Sequence, residues 1–223
     1  MQITIDTSTD TAGLALTQDD VILAELTWRC GQNHTTQLLP NLSYLLKQNN
    51  LDIKNTDCII VARGPGSYNG LRVGISTAKG LAFSLNVPLI GINTLEAEAW
   101  QHAETGLPVC PVYNAGREEI ATATYQKVDG LWQKIVEERL TTPDFLCAEI
   151  SVKTLFCGEF IPKIVDKLKE KLGEKAVIMP GIRRAGFLAE LGLKRFRAGD
   201  YDDTASLQPF YFRGPSITQP KHK

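Results

Sequence analysis

No apolar run in this 223-residue chain approaches the roughly 18 residues that a membrane-spanning helix needs, so a membrane protein is not expected. The opening residues MQITIDTSTD lack the basic and apolar regions of a signal peptide, and the cytoplasm is the expected location. CxxC pairs are missing too. The five cysteines, Cys30, Cys58, Cys110, Cys147 and Cys157, are odd in number and scattered, which argues against a disulfide framework and a cysteine-built zinc site. They read as reduced, mostly buried thiols. Histidine is scarce, and His34, His102 and His222 form no ligand spacing, so each reads as a structural or surface residue. An excess of either charge is also absent: a net charge of -1 and a pI near 6.3 exclude the broad positive field that drives phosphate-backbone binding. The basic end Lys221, His222, Lys223 follows a proline and reads as solvated.

What is present suits a folded α/β protein, because 43% hydrophobic and 22% charged residues leave enough apolar surface to build cores. Strands are expected at Gln2 to Asp6, Gly13 to Leu16 and Val21 to Trp28, a meander whose first strand ends on Asp6. A helix with Leu38, Leu42, Leu45 and Leu46 at helical spacing follows over Thr35 to Gln48, capped by Asn33, with Pro40 best tolerated near its first turn. The run Cys58 to Val61 suits a strand covered on both faces, a helix starts near Asn69, and a strand over Pro88 to Ile92 precedes a helix over Thr94 to Ala103.

After Gly106 and Pro108 the pattern nearly repeats. Strands at Val109 to Tyr113, Glu119 to Gln126 and Leu131 to Leu140 lead to a helix at Pro143 to Glu149. Then come a strand at Lys153 to Cys157, a helix at Pro162 to Leu172, a strand at Ala176 to Met179 and a helix from Arg183 to Arg197. The expectation is two lobes, 1–105 and 106–208, each a mixed sheet flanked by helices, with 209–223 as a C-terminal segment and loose tail. The acidic stretch Gly199 to Ser206 reads as a solvated loop.

The most informative segment is ARGPGSYNGLRVGISTAKGLAFSL, Ala62 to Leu85. Gly64 and Gly66 flank Pro65 after a strand and ahead of a helix, a turn able to bring backbone close to an anion. It is not a P-loop, because Leu71 and Arg72 follow Gly70 where a Lys-Ser/Thr pair would stand. Within the helix Gly70, Gly74, Ala78 and Ala82 form a stripe with almost no side chain, although each interior glycine costs about 1 kcal/mol relative to alanine. Something must approach that stripe closely. Two occupants fit, the chain's own Thr35 to Gln48 helix and a second protein, with Leu71, Ile75, Leu81 and Leu85 flanking it.

With IDTST at the start, NHTTQLLP, ARGPGSYNGLRVGISTAKGLA, PLIGINTLEAEA and the late LQPFYFR, the chain resembles the bacterial TsaB (YeaZ) family over most of its length. The resemblance implies an actin-like fold of duplicated ribonuclease H-like lobes. It also implies a part in making N6-threonylcarbamoyladenosine at position 37 of ANN-reading tRNAs. Implied partners are a TsaD-like catalytic subunit, a TsaE-like ATPase, a second copy of the chain and, through the complex alone, tRNA. A nucleotide, ATP or ADP, is allowed at the interface of the complex, with no intrinsic cofactor. The interface residues carried over are Leu38, Leu42, Leu45, Gly70, Leu71, Gly74, Ala78 and Leu81.

The catalytic paralogue TsaD has a similar glycine-rich segment followed by HxEGH, whose two histidines share a helix face and bind a metal. Thr94 and Glu98 stand at those places here, so no metal site is expected. The first phosphate loop of actin-like ATPases, DxGxT, is Asp6-Thr7-Ser8-Thr9, and the second is Asn114 to Glu118 with one glycine. Asp6, Gly64, Gly66, Asn114 and Arg117 therefore make at most a relict nucleotide site. The Asn114-Ala115-Gly116 sequence also departs from the Asp-Ala-Arg usual in TsaB. Glu96 with Glu98 and Glu118 with Glu119 read as solvated carboxylates, and no nucleophile and base pair supports a peptidase. The leading expectation is a non-catalytic partner subunit. The rival is an ATP-dependent enzyme, such as a small-molecule kinase, using Asp6 and the GPGS turn.

Overall fold

A computed structural model describes residues 1–213, so the expected loose tail, including Lys221, His222 and Lys223, lies outside the described residues. Strands β1 (Gln2–Asp6), β2 (Thr11–Gln18) and β3 (Val21–Arg29) form the antiparallel meander, with Ile3 opposite Leu16. β4 (Cys58–Gly64) pairs parallel to β1, and β5 (Leu89–Asn93) parallel to β4, giving the order β3-β2-β1-β4-β5. The second sheet has β6 (Val109–Gly116), β7 (Glu119–Val128), β8 (Leu131–Thr141), β9 (Thr154–Cys157) and β10 (Ala176–Ile178), in the order β8-β7-β6-β9-β10. Each sheet thus places a meander's first strand at its centre and extends it with parallel strands. The duplication lives in topology.

Strand periodicity distributes the core. Ile59 and Val61 of β4 face helices α1 (His34–Gln48) and α2 (Tyr68–Leu85), joining Leu38, Leu42, Leu45, Ile75 and Ala78 in one cluster. Cys58, Ile60 and Ala62 face the other way, onto Leu188 and Leu191 of α6 (Ala185–Arg197). Closeness there depends on Gly192, where an added Cβ would fall 2.6 Å from the Ile60 side chain. Helix α3 (Thr94–Trp100) begins the passage to the second lobe, whose sheet is covered by α4 (Pro143–Glu149) and α5 (Ile161–Leu172) through Leu146, Phe156, Ile164 and Leu168.

Several expectations change. The last helix begins at Ala185 rather than Arg183, and it packs on the first sheet although its place in the chain assigns it to the second lobe. After β10 the chain crosses back because the face of β4 and β5 opposite α1 and α2 is apolar and needs a cover. Asn33 gives α1 no side-chain cap, and Pro40 sits inside the helix, past its first turn. The acidic loop is not wholly solvated, since Asp202 accepts the Gly91 amide at 2.8 Å and pairs with Arg195 at 3.1 Å. Helix α3 stops at Trp100, short of Ala103. Helix α2 is capped at both ends, by the Ser67 hydroxyl on the Gly70 amide and by Asn86 in the left-handed region, φ 54°.

Candidate functional site

The segment that returns from β10 to α6 carries Arg183 into the cleft between the lobes, where it is almost wholly buried. Its Nε donates to Asp6 Oδ2 at 2.7 Å and its Nη1 to Glu98 Oε2 at 3.1 Å, while further donors reach Tyr113 Oη and Ser8 Oγ. Tyr113 Oη–H donates to Glu98 Oε2 at 2.6 Å, and Asp6 Oδ1 accepts the Ser8 amide at 3.0 Å and hydroxyl at 2.7 Å. Gln101 Nε2 donates to the other Glu98 oxygen at 2.7 Å. The site is assembled from the end of β1, from α3, from β6 and from the crossover.

Two buried carboxylates share one guanidinium, whose planar fork suits such a geometry. Burial works against the charge of Arg183, but Asp6 foremost, then Tyr113 and Glu98, outweigh it and hold the guanidinium above its ordinary pKa. Burial raises the Glu98 carboxyl above the usual range, and the nearby Arg183 cation and the Tyr113 hydroxyl only partly offset it. Glu159, an exposed residue beside the same cluster, has its carboxyl pushed up by desolvation as well. The expectation that Glu98 is a solvated carboxylate is therefore corrected: its side chain is 3% exposed and paired.

The other expected site residues separate. Thr94 is buried, with Oγ1 accepting the Gly64 amide at 3.0 Å, which ties α3 to the end of β4. Of the relict nucleotide set, Asp6 belongs to the Arg183 cluster and Gly64 is buried beneath Phe210. Gly66 lies at the exposed turn before α2, and Asn114 and Arg117 lie on the exposed β6–β7 hairpin. The space left beside Arg183 is about 50 Å³, against the roughly 300 Å³ of the smaller ordinary ligand pockets. A metal nucleotide does not fit at Asp6, because the protein's own cation holds that carboxylate. Among the described residues no three His, Cys, Asp or Glu side chains gather as a metal site.

The glycine stripe of α2 faces inward. A Cβ on Gly70 would fall 2.1 Å from the Thr7 carbonyl oxygen, and one on Gly74 would fall 2.2 Å from Thr7 Oγ1. Its occupants are Thr7 in the loop after β1 and, at Gly70, also the His34 ring at the start of α1, 3.3 Å from that Cβ, while Ala78 and Ala82 join Leu38, Leu42 and Leu45 of α1 in one cluster. Leu38, Leu42, Leu45, Leu71 and Ala78 are buried with the two glycines, and Leu81 alone of the carried-over set is partly exposed. Groups sealed in the core cannot meet a partner, so the interface assignment of these side chains is corrected. The outward faces of the same helices carry Leu39 at 51%, Tyr44 at 55% and Phe83 at 83% exposure. Gly80, with nothing within 4 Å of an added Cβ, and the exposed Ser76 and Ser84 lie beside them on α2.

Sequence reasoning missed Arg183. In GIRRAG nothing distinguishes it from Arg184, whose Nε reaches Glu25 at 2.8 Å near the surface. Only the crossover decides which arginine turns inward.

This is an actin-like two-lobed chain whose cleft carboxylates are held by its own arginine. The family model for TsaD, tRNA N6-adenosine threonylcarbamoyltransferase, matches residues 28–172. Over 217 residues the chain is 31% identical to the tRNA threonylcarbamoyladenosine biosynthesis protein TsaB of Bacillus subtilis, covering 95% of this chain and 93% of that protein. To TsaB of Escherichia coli it is 30% identical over 148 residues, 65% of this chain and 63% of that one. The chain belongs to the TsaB (YeaZ) family. Among solved structures, YeaZ from Pseudomonas aeruginosa superposes with a TM-score of 0.81 at 21% identity, over 95% of this chain and 99% of that one. The activator of 2-hydroxyisocaproyl-CoA dehydratase from Clostridium difficile, solved with bound ADPNP, gives 0.52 at 9% identity over 89% and 96%, a likeness of fold alone.

Proposed function

We propose that this chain takes part in tRNA threonylcarbamoyladenosine biosynthesis as a non-catalytic subunit. It docks on a TsaD-like catalytic subunit and supports transfer of the threonylcarbamoyl group from threonylcarbamoyl-adenylate to adenosine 37. The observation that carries the non-catalytic reading is the Arg183 cluster: the strand-end Asp6 and the Glu98 carboxylate are already paired with a fixed cation. The rival small-molecule kinase would need Asp6 free for a metal nucleotide.

Docking is assigned to the outward faces of α1 and α2, where Leu39, Tyr44 and Phe83 offer apolar anchors and Gly80 admits close approach of a partner. A second copy of the chain uses the same face when the TsaD-like subunit is absent, and a TsaE-like ATPase joins the assembled pair. tRNA is met through the complex, in keeping with a net charge of -1.

The test mixes the purified chain with its TsaD-like subunit and measures affinity for the parent and for Phe83→Glu. Removing one well-buried aromatic anchor is worth about 1.5–3 kcal/mol, roughly a ten- to hundredfold loss. Unchanged affinity removes this face from the interface. ATP turnover by the isolated chain would favour the kinase.

A further inference from the structure

Residues 202–213 run as a strap from the first lobe to the second. The strap begins on the edge of the first sheet, where the Asp202 amide donates to the Leu89 carbonyl of β5 at 2.9 Å. Leu207 joins the core cluster of Ile75 and Ala78, and the Phe210 amide donates to the Arg63 carbonyl of β4 at 2.6 Å. Two bare positions admit it: a Cβ on Gly91 would fall 3.0 Å from the Leu207 side chain, and one on Gly64 would fall 2.6 Å from the Phe210 carbonyl oxygen. Two residues later the chain has changed lobes. Phe212 packs on the cluster that holds Tyr113 and Ala121, and Arg213 pairs with Glu119 of β7.

The same strap lies along α2. Lys79 Nζ donates to the Ala205 carbonyl at 2.7 Å and to the Leu207 carbonyl at 3.3 Å. The Tyr211 hydroxyl donates to the Tyr68 carbonyl at 3.3 Å, the two rings stand 5.0 Å apart, and the Arg72 guanidinium lies 4.1 Å from the Tyr68 ring centre. At 3.6 residues per turn Tyr68, Arg72 and Lys79 share one flank of the helix, whereas Gly70, which faces the His34 ring of α1, lies with Thr77 and Leu81 on the other. Ser76, Gly80 and Phe83 are exposed between the flanks. The face of α2 assigned to docking is thus bordered by α1 on one side and by the strap on the other.

The two ends of the strap differ in hold. A buried leucine and paired backbone fix the first, while the second has one partly buried ring and a half-exposed ion pair, a kind that contributes little. The strap therefore lets go of the second lobe first. Because Arg183 joins the lobes independently, that release is local. It still reaches α2, since the Phe210 and Phe212 rings meet edge to face at 5.0 Å with only Tyr211 between them.

We propose that the strap links the second lobe to the docking face, so that a partner seated on α2 and the fastening of Phe212 and Arg213 stabilise each other. The partner's side of this link rests on the docking proposed above; the link between the two ends of the strap does not.

Amide hydrogen exchange of the full chain, alone and with the TsaD-like subunit, tests it against the double variant Phe212→Ser, Arg213→Ser. In the free variant the Leu207 and Phe210 amides should exchange about tenfold faster, as expected for the loss of one partly buried aromatic anchor, while the core amide of Ile59 keeps the parent's rate. The TsaD-like subunit should slow both strap amides in the parent and bind the double variant at least about fivefold more weakly. Neither Phe212 nor Arg213 lies on α1 or α2, so that loss cannot be a lost contact on the docking helices. Arg213→Ser alone, a change at a half-exposed ion pair, should move both readouts the same way by a smaller factor. Parent-like exchange of the strap amides in the double variant overturns the strap, and faster exchange with unchanged partner affinity overturns the link to docking. If Phe83→Glu binds as the parent does, the docking face falls, and the strap then stands or falls on exchange in the free chain.

Discussion

Replacing Arg183 with methionine keeps the length of the side chain and removes its charge and its donors. Asp6 and Glu98, with side chains 4% and 3% exposed, are then left without their cation. Removing one partner of a buried ion pair costs about 3–5 kcal/mol, because the remaining charge stays desolvated and unpaired. At about 2–4 °C per kcal/mol for a chain of this size, Tm should fall by roughly 6–20 °C. The loss should also depend on pH. Burial already raises the Glu98 carboxyl in the parent, and removing the Arg183 cation raises it further. A raised carboxyl holds its proton in the folded state where the unfolded chain, near 4.3, has released it, so stability falls as pH climbs toward the folded value. The variant should therefore lie closer to the parent at about pH 5.5 than at about pH 8. Thermal melts followed by circular dichroism at both pH values measure this. The triple variant Asp6→Asn, Glu98→Gln, Arg183→Met should recover much of the loss, because neutral groups bear less desolvation. A drop under about 3 °C at the higher pH, or a deficit that grows as pH falls, would refute the reasoning.

Two glycines of α2 separate inward from outward. Gly74→Ala should destabilise the chain by about 1–3 kcal/mol, since its methyl must displace Thr7, whereas Gly80→Ala should stabilise it by up to about 1 kcal/mol through helix propensity. Urea denaturation of the two variants decides, and equal midpoints would sink the inward assignment. All five cysteines are buried, and burial pushes the thiols of Cys58 and Cys110 up to about 12 and about 11. Native protein should thus leave its thiols unmodified by a thiol reagent at neutral pH, and denatured protein should react at all five. Rapid reaction of the folded chain would contradict that burial.

Most of the fold could be read from periodicity because the central strands are apolar on both faces and the turns between strands are polar. The run Cys58 to Val61 announced a covered strand, and GPGS announced where it ends. Long-range placement was not legible. A stripe of small residues says that something comes close, but the same stripe suits a neighbouring helix, a partner or a loop, and here Thr7 and the His34 ring at the start of α1 meet it. Glu98 looked solvated because nothing near it in the sequence offers a cation and Glu96 stands two residues away, while its partners Arg183 and Tyr113 lie 85 and 15 residues away. Loss of the metal-type histidine at that position was legible from the family resemblance; its replacement by an arginine from the crossover was not.

That replacement bears on the supporting role proposed above. A metal nucleotide bridging two lobes leaves by dissociation, so lobe closure follows ligand concentration. Arg183 is covalently part of the return from the second sheet to the first, and its bonds reach Asp6 and Ser8 after β1, Glu98 on α3 and Tyr113 on β6. The cation is present at saturating local concentration whatever the nucleotide level. Closure of the cleft then becomes a property of the folded chain, and under the proposed docking the outward faces of α1 and α2 meet a partner in one fixed arrangement.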